Sequence, residues 1–392
     1  MFDNEIKLTF WNYLDAKYIT DEVVDKWHEL GINLPMSFPV RENMSEEDKN
    51  KVLHLLDRCQ GYGMKVLLYD ERIDFHVIEK CGRDKYVERV QETIKDFASH
   101  PAIYGFTAGD EPNFDNQDDY TFALKTLKEL LPSMHHFGNL VPYFSDVLEQ
   151  KMLGRSEEYL LNNLRKIVDD GKCDILAYDH YTQYWDKPKD REEGIRSFLI
   201  DLDHFMIISK EKDIPLYFSP LCIGHFVYHE PSEDDIRWQM YIPLVCGAKG
   251  LVWFYFHHTL DDLGFKNFTA PFFGETLETT PTFDMIKREH YYFNHYYKAK
   301  FDRLDIDEYY QTGKIYLPNK GFKENKLVER LDAWLNDELT LISLGHYRDN
   351  KQNVVIVTNG SQTQINNYTI FFKDGTNNSF WLTPGEIKIF EL

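Results

Sequence analysis

A chain of 392 residues, 43% of them hydrophobic and 15% aromatic, has material for a large core and exceeds a minimal (β/α)8 barrel of about 250 residues by one small appendage. Its 44 basic and 65 acidic side chains leave a formal charge of −21, which repels nucleic acid and anionic membrane surfaces and favours a neutral or cationic partner. No run of about 18 apolar residues offers a membrane span, and the N-terminus MFDNEIKLTF has neither a basic n-region nor an apolar h-region.

A soluble chain without membrane insertion is therefore expected, cytoplasmic or exported with its signal removed. The five cysteines (Cys59, Cys81, Cys173, Cys222 and Cys246) are scattered and form no C-x-x-C pair, so buried thiols are expected in place of a zinc site or disulfide framework.

In chain order, β-rich runs at 7–13, 33–38, 65–69, 103–107, 136–141, 175–178, 216–219 and 251–256 alternate with helical periodicity. That alternation predicts a parallel sheet covered by helices. Eight strands in series, with no Gly-rich phosphate turn after the first, favour an α/β fold of the (β/α)8 TIM-barrel kind over an open doubly wound sheet. Ser45 to Asp48 and Ser232 to Asp235 have the residues of capping boxes, and Gly31, Gly61 and Gly247 close apolar-periodic stretches. Ile236, Met240 and Leu244 share one stripe, which should pack its helix on strands seven and eight. After the eighth strand come an insertion at 260–281 and a helix from about Thr282. Strands at 339–344, 354–357, 368–372 and 386–390, with turns at Asn359-Gly360, Asp374-Gly375 and Pro384-Gly385, then predict a small antiparallel β domain. The expected division is a barrel over 1–305 and a β-sandwich-like domain over 306–392.

Reactive groups of such a barrel project from the C-terminal ends of its strands. Here those ends read Trp11-Asn12-Tyr13, Tyr69-Asp70-Glu71-Arg72, Gly109-Asp110-Glu111-Pro112, Tyr178-Asp179-His180-Tyr181 and Trp253-Phe254-Tyr255-Phe256-His257-His258, with Asn139 near the end of strand five. Carboxyl groups among Trp and Tyr suit glycoside cleavage, in which ring faces stack on sugars and two acids serve the leaving and attacking groups. Desolvation by aromatics also raises a carboxyl pKa, as proton donation requires. Asp110, Asn139, His180, Tyr181, Tyr69, Asp70, Trp11, Tyr217, Trp253 and Tyr255 are the candidate sugar contacts.

The run Ile103-Tyr104-Gly105-Phe106-Thr107-Ala108-Gly109-Asp110-Glu111-Pro112-Asn113 resembles the fourth-strand signature of glycoside hydrolase clan A, usually Asn-Glu-Pro. A second island, Pro231 to Gln239 with Gly247 to Phe254, is distantly similar to the last βα unit of family 42 β-galactosidase-like proteins. The resemblance covers roughly residues 5–260. It implies that Glu111 is the general acid/base and that Asp110 holds the place of the Asn contacting the sugar 2-hydroxyl. At strand seven, where the clan carries its nucleophile Glu, the chain reads Ile214-Pro215-Leu216-Tyr217-Phe218-Ser219-Pro220-Leu221-Cys222, without a carboxylate. Asp179 is the favoured second carboxylate, with Glu230 or Glu233 as substitutes. The alternative reading is a barrel that binds sugar without turnover, and a lyase or isomerase is a more distant third. No cofactor is expected. A metal is not expected either, since His257, His258, Asp261 and Asp262 match no ligand motif.

Overall fold

The computed structural model describes residues 4–142, 157–184, 188–258 and 270–392, and its N-terminal part is a (β/α)8 barrel. Strands β1 (Lys7–Phe10), β2 (Val66–Leu68), β3 (Ile103–Asp110), β4 (Phe137–Leu140), β5 (Leu176–Asp179), β6 (Leu216–Ser219) and β7 (Gly250–Trp253) form one parallel sheet, in the order β1-β7-β6-β5-β4-β3-β2. Covered by helices outside and filled by side chains inside, these strands are buried along almost their whole length.

The expected second strand at 33–38 is not a regular one. It touches its neighbour through single bridges, Met36 to Leu67 and Val40 to Asp70. Pro35 and Pro39 remove ladder donors from this segment, which explains the interruption. It closes the cylinder nonetheless. Leu34 N–H donates to Leu8 O (3.2 Å) on one side and Ser37 N–H to Leu67 O (2.9 Å) on the other. Asn33 completes the joint with its side chain, accepting from Leu8 N–H at 2.8 Å and donating to Ile6 O at 2.9 Å.

Both predicted helix starts are present. Ser45 Oγ accepts from Asp48 N–H ahead of the helix Glu46–Gly61, and Ser232 with Asp235 forms a reciprocal capping box ahead of Glu233–Cys246. The latter helix ends at Gly247, whose φ of 118° suits glycine. Its Ile236, Met240 and Leu244 are buried, as their stripe requires, but so is its opposite face. Trp238 Nε1 donates to Gly360 O at 2.8 Å, and Arg237 reaches Thr383 and Pro384, so the C-terminal strands cover this helix as well.

A short parallel pair, β8 (His257–His258) and β9 (Phe272–Phe273), precedes the helix Pro281–Tyr292. Beyond it, β10 (Leu304–Gly313), β11 (Val328–Ala333), β12 (Leu339–Tyr347), β13 (Asn353–Asn359), β14 (Asn366–Phe372), β15 (Asn377–Leu382) and β16 (Ile387–Glu391) build two antiparallel sheets, β10-β12-β13-β16 and β11-β14-β15. Between them lies a core of Ile342, Val355, Val357, Tyr368 and Ile370. The expectation missed β10, β11 and β15. The edge strands β11 and β15 are each half polar and mostly solvent-facing, so neither shows a sustained buried pattern. Among the described residues, no helix is long and apolar enough to cross a membrane.

Candidate active site

The fourth-strand motif sits where the backbone breaks its own alternation. Pairing of β3 with β4 slips between Thr107 and Gly109, a bulge that bends and twists the strand. Gly109 has φ 130°, and a Cβ added there would lie 2.4 Å from Phe75 Cδ1. Glu111 is left-handed at φ 48°, a conformation that costs a non-glycine residue roughly 1–2 kcal/mol. It is held there by its N–H, which donates to Asn139 O at 3.0 Å. Regular alternation would send Asp110 and Glu111 to opposite faces. This backbone instead brings both carboxyls to the mouth, where both act electrostatically on Asp179, Tyr13 and Tyr181. Replacing Gly109 by Ala, which adds both the clash and the φ penalty, is expected to lower stability by about 2–4 kcal/mol in urea titration.

One amide ties the acids together. Asn139 Nδ2 donates to Asp110 Oδ1 at 3.1 Å and to Asp179 Oδ1 at 2.8 Å, so these two oxygens lie at most about 6 Å apart. Two carboxylate acceptors also fix which end of the Asn139 amide faces them.

Burial and mutual repulsion push all three acids upward. Desolvation, then the charge of Glu111, raises Asp110 from 3.8 to about 7. Desolvation, then the charges of Glu111 and Asp110, carries Asp179 well above the carboxylate range, and desolvation raises Glu111. Such groups titrate as a set, so near neutral pH the cluster retains at least one proton. The same shifts weaken the fold at high pH. For Asp110, folded and unfolded chains are both protonated below about pH 4, so no penalty applies. Between there and about pH 7 the unfolded chain ionises first, stability falls, and the full penalty stands above pH 7. Asp110→Asn is therefore expected to gain roughly 1–3 kcal/mol at pH 8, a gain that shrinks toward pH 4 in pH-resolved thermal melts.

Aromatic rings wall the cluster. Trp11 stacks on Tyr13 (centroids 6.2 Å, 5° between planes), Tyr13 meets Tyr255 edge-on at 5.7 Å, and Tyr181 packs between Tyr228 (5.3 Å) and Phe254 (6.2 Å). Tyr69 lies within electrostatic reach of Asp110 and Tyr13. On the seventh stave, Ser219 Oγ accepts from Trp11 Nε1 (3.2 Å) and donates to Val252 O (2.7 Å). Its strand partner in register is Asp179.

Glu111, Asp110, Asn139, Asp179, Tyr69, Tyr181, Tyr255 and Trp11 are thus brought together. Four other candidates are not. Asp70 is fully buried, its oxygens held by a fork from Arg72 and by Thr93 Oγ1 at 2.8 Å. His180 faces the helix Pro188–Lys212, bonding Asp201 at 2.7 Å and Ser197 at 3.3 Å. Trp253 points outward to His290 Nε2 at 2.9 Å. Tyr217 faces inward but lies two residues below Ser219, where it meets Tyr104 on the barrel floor. Glu233 forks onto Arg288 at 2.8 Å, outside the mouth. Of the four residues that match no metal-ligand motif, His257 accepts from Trp27 Nε1 at 2.7 Å, and Asp261 and Asp262 lie outside the described residues. Tyr13, Phe254 and Tyr228 were not among the candidates. For Tyr13 and Phe254 a signal was present, because each stands two residues from an inward position on its own strand.

No family model matches the chain, and no curated protein matches its sequence. Among solved structures, a glycoside hydrolase family 5 protein from Bacteroides vulgatus aligns over 98% of this chain and 88% of its own at 10% identity, with a TM-score of 0.60. A cold-adapted β-galactosidase from Rahnella sp. R3 aligns over 78% and 58% at 12% identity (TM-score 0.54). A β-galactosidase from the psychrophilic Marinomonas ef1 aligns over 74% and 60% at 10% identity (TM-score 0.52). The chain spans about three fifths of the length of these two β-galactosidases. The likeness is one of fold: the chain shares its barrel with these solved proteins.

Proposed function

We propose that the chain is a glycoside hydrolase cleaving a β-linked neutral sugar or oligosaccharide, with Glu111 protonating the glycosidic oxygen and Asp179 acting from the other side. The observation that carries this reading is the Asn139 amide shared by Asp110 and Asp179 beside a left-handed Glu111, at the C-terminal ends of barrel strands. Desolvation raises Glu111, as a general acid needs, and raises Asp179 as well, so the acids share their protons as a set and the reading requires Asp179 to be the ionised member when Glu111 is protonated. Asp110, hydrogen-bonded to the same amide, holds that geometry and in this reading accepts from a sugar hydroxyl.

Ser219 stands at the end of the seventh stave, where the resemblance expects a nucleophile Glu, and Asp179 is its neighbour in the ladder, one stave over at about 4.8 Å. That closeness supports Asp179 as nucleophile or base, and the glycosidase names of the fold neighbours point to the same chemistry. The aromatic wall supplies apolar ring faces for a sugar. The test is turnover of a panel of aryl β-glycosides, followed by proton NMR of the first-formed anomer. A β anomer means retention through a covalent Asp179 intermediate, and an α anomer means inversion through water activated by Asp179. No release from any β-glycoside in the panel would overturn the reading.

A further inference from the structure

The outer face of the β11-β14-β15 sheet has a composition that packing does not explain. Tyr368, Ile370 and Phe372 of β14 point into the sandwich core, so Asn367, Thr369 and Phe371 point out. Strand register sets cross-strand rows on that outer face. In the first, Asn367 is flanked by Trp381, its ladder partner, and by Trp334, whose backbone N–H donates to Asn367 O at 2.9 Å. In the second, Thr369 lies between Asp332 and Ser379, with its Oγ1 2.8 Å from Ser379 Oγ. The rows are about 7 Å apart along the strands.

Trp334 is 72% exposed and Trp381 56%, and their rings touch, with centroids 5.4 Å apart at 73°. Single exposed apolar side chains are ordinary, but two touching indoles left in water mark a contact surface. One ring offers its face and the other its edge, a corner fitted to one flat, partly apolar ring. Hydroxyl, amide and carboxylate groups follow in the next row. This matches a pyranose, which has an apolar C–H face and a rim of hydroxyls.

Charge narrows the ligand. The guanidinium beside these rows, Arg330, lies over Phe371 at 3.5 Å and within 3.4 Å of both Asp332 and Glu329, so its charge is already matched. A chain of −21 also repels polyanions and a second copy of itself. We propose that this face is a binding platform for a neutral β-linked polysaccharide, one sugar lying against Trp334 and Trp381 and the next over Asp332, Thr369 and Ser379. The β-linked class rests on the glycosidase reading of the barrel, whereas the platform itself rests on the sheet face alone.

Native gels containing galactan, xylan or mixed-linkage β-glucan test it with the full chain. At least one of these should retard wild type and Glu111→Gln alike. The double variant Trp334→Ala/Trp381→Ala should bind that polysaccharide roughly tenfold or more weaker, with hydrolysis of a small aryl β-glycoside unchanged. Because both indoles are exposed, the variant's thermal midpoint should match wild type, and the single variants Trp334→Ala and Trp381→Ala should each show a partial loss. No retardation of wild type in any gel, or equal retardation of the double variant, overturns the platform. So does light scattering that shows a wild-type dimer and a monomeric double variant, since a second copy would then be the occupant. Trp-dependent retardation without hydrolysis would sink the barrel reading and leave the platform standing, and hydrolysis without retardation would do the reverse.

Discussion

Glu111→Gln is expected to cut kcat/KM for unactivated β-glycosides by about 10²–10⁴-fold, the contribution of a positioned general acid. The substitution keeps size, and Gln meets the same left-handed backbone as Glu, so the folded structure should persist. Three readouts distinguish loss of the acid from general damage. Substrates with good leaving groups, which need little protonation, should be largely spared. The decline of wild-type activity at high pH should vanish in the variant. Its sign follows from the raised pKa: the acid must be protonated, so activity falls as pH rises through the Glu111 value. Added azide should restore turnover if the enzyme is retaining, because a small anion can attack a glycosyl intermediate without base assistance. An unimpaired variant would sink the assignment.

Asp179→Asn is expected to cost a similar 10²–10⁴-fold, with a different signature. Here good leaving groups should not help, since the missing group acts on the anomeric carbon or on water and not on the departing oxygen. Stability should rise while activity falls. Asp179 is buried among like charges with its pKa pushed well up, so the neutral amide removes a repulsion that the native fold tolerates above neutral pH. The Asn139 hydrogen bond survives, because Asn still offers an Oδ1. A thermal midpoint that rises together with the lost rate excludes misfolding. An active Asp179→Asn protein would move the second role to another group and overturn this part of the reading.

The barrel was legible because alternating β-rich and helical periods reflect the layering directly. So was the position of Glu111 at the mouth, because its motif falls at a strand end. What was not read was parity. On β5, Asp179 faces in, so Tyr178 and His180 must face out, and the structure places Tyr178 on Phe205 and His180 on Asp201. The same count separates Tyr69 from Asp70 and Phe254 from Trp253. Treating each strand end as a cluster in which every polar or aromatic residue reaches the mouth ignored this period of two. Depth was missed as well: Tyr217 has the right parity but sits about 7 Å below the rim. The bulge and the left-handed Glu111 could not have been counted out, because they depend on tertiary contacts, among them Phe75 packed on Gly109 and Asn139 O accepting from Glu111. The interrupted stave at 33–40 was partly legible, since its two prolines argue against a full ladder.

The helix Glu233–Cys246 serves two cores at once. Ile236, Met240 and Leu244 are buried on the barrel, while Trp238 donates to Gly360 O and Gly385 sits so close to the Trp238 backbone that a Cβ there would come within 2.5 Å of Trp238 Cα. From the same loop as Gly360, Gln362 Nε2 reaches Thr182 Oγ1 at 2.9 Å, one residue past Tyr181 in the mouth. The sandwich is therefore not a cassette that recombination could exchange for another of similar size. A foreign sandwich would have to carry a glycine against Trp238, a carbonyl for its indole and a side chain long enough to reach Thr182, or the rim of the barrel would lose its support. Selection on the geometry of the barrel's mouth is in this way also selection on a stretch of chain more than a hundred residues downstream of Asp179.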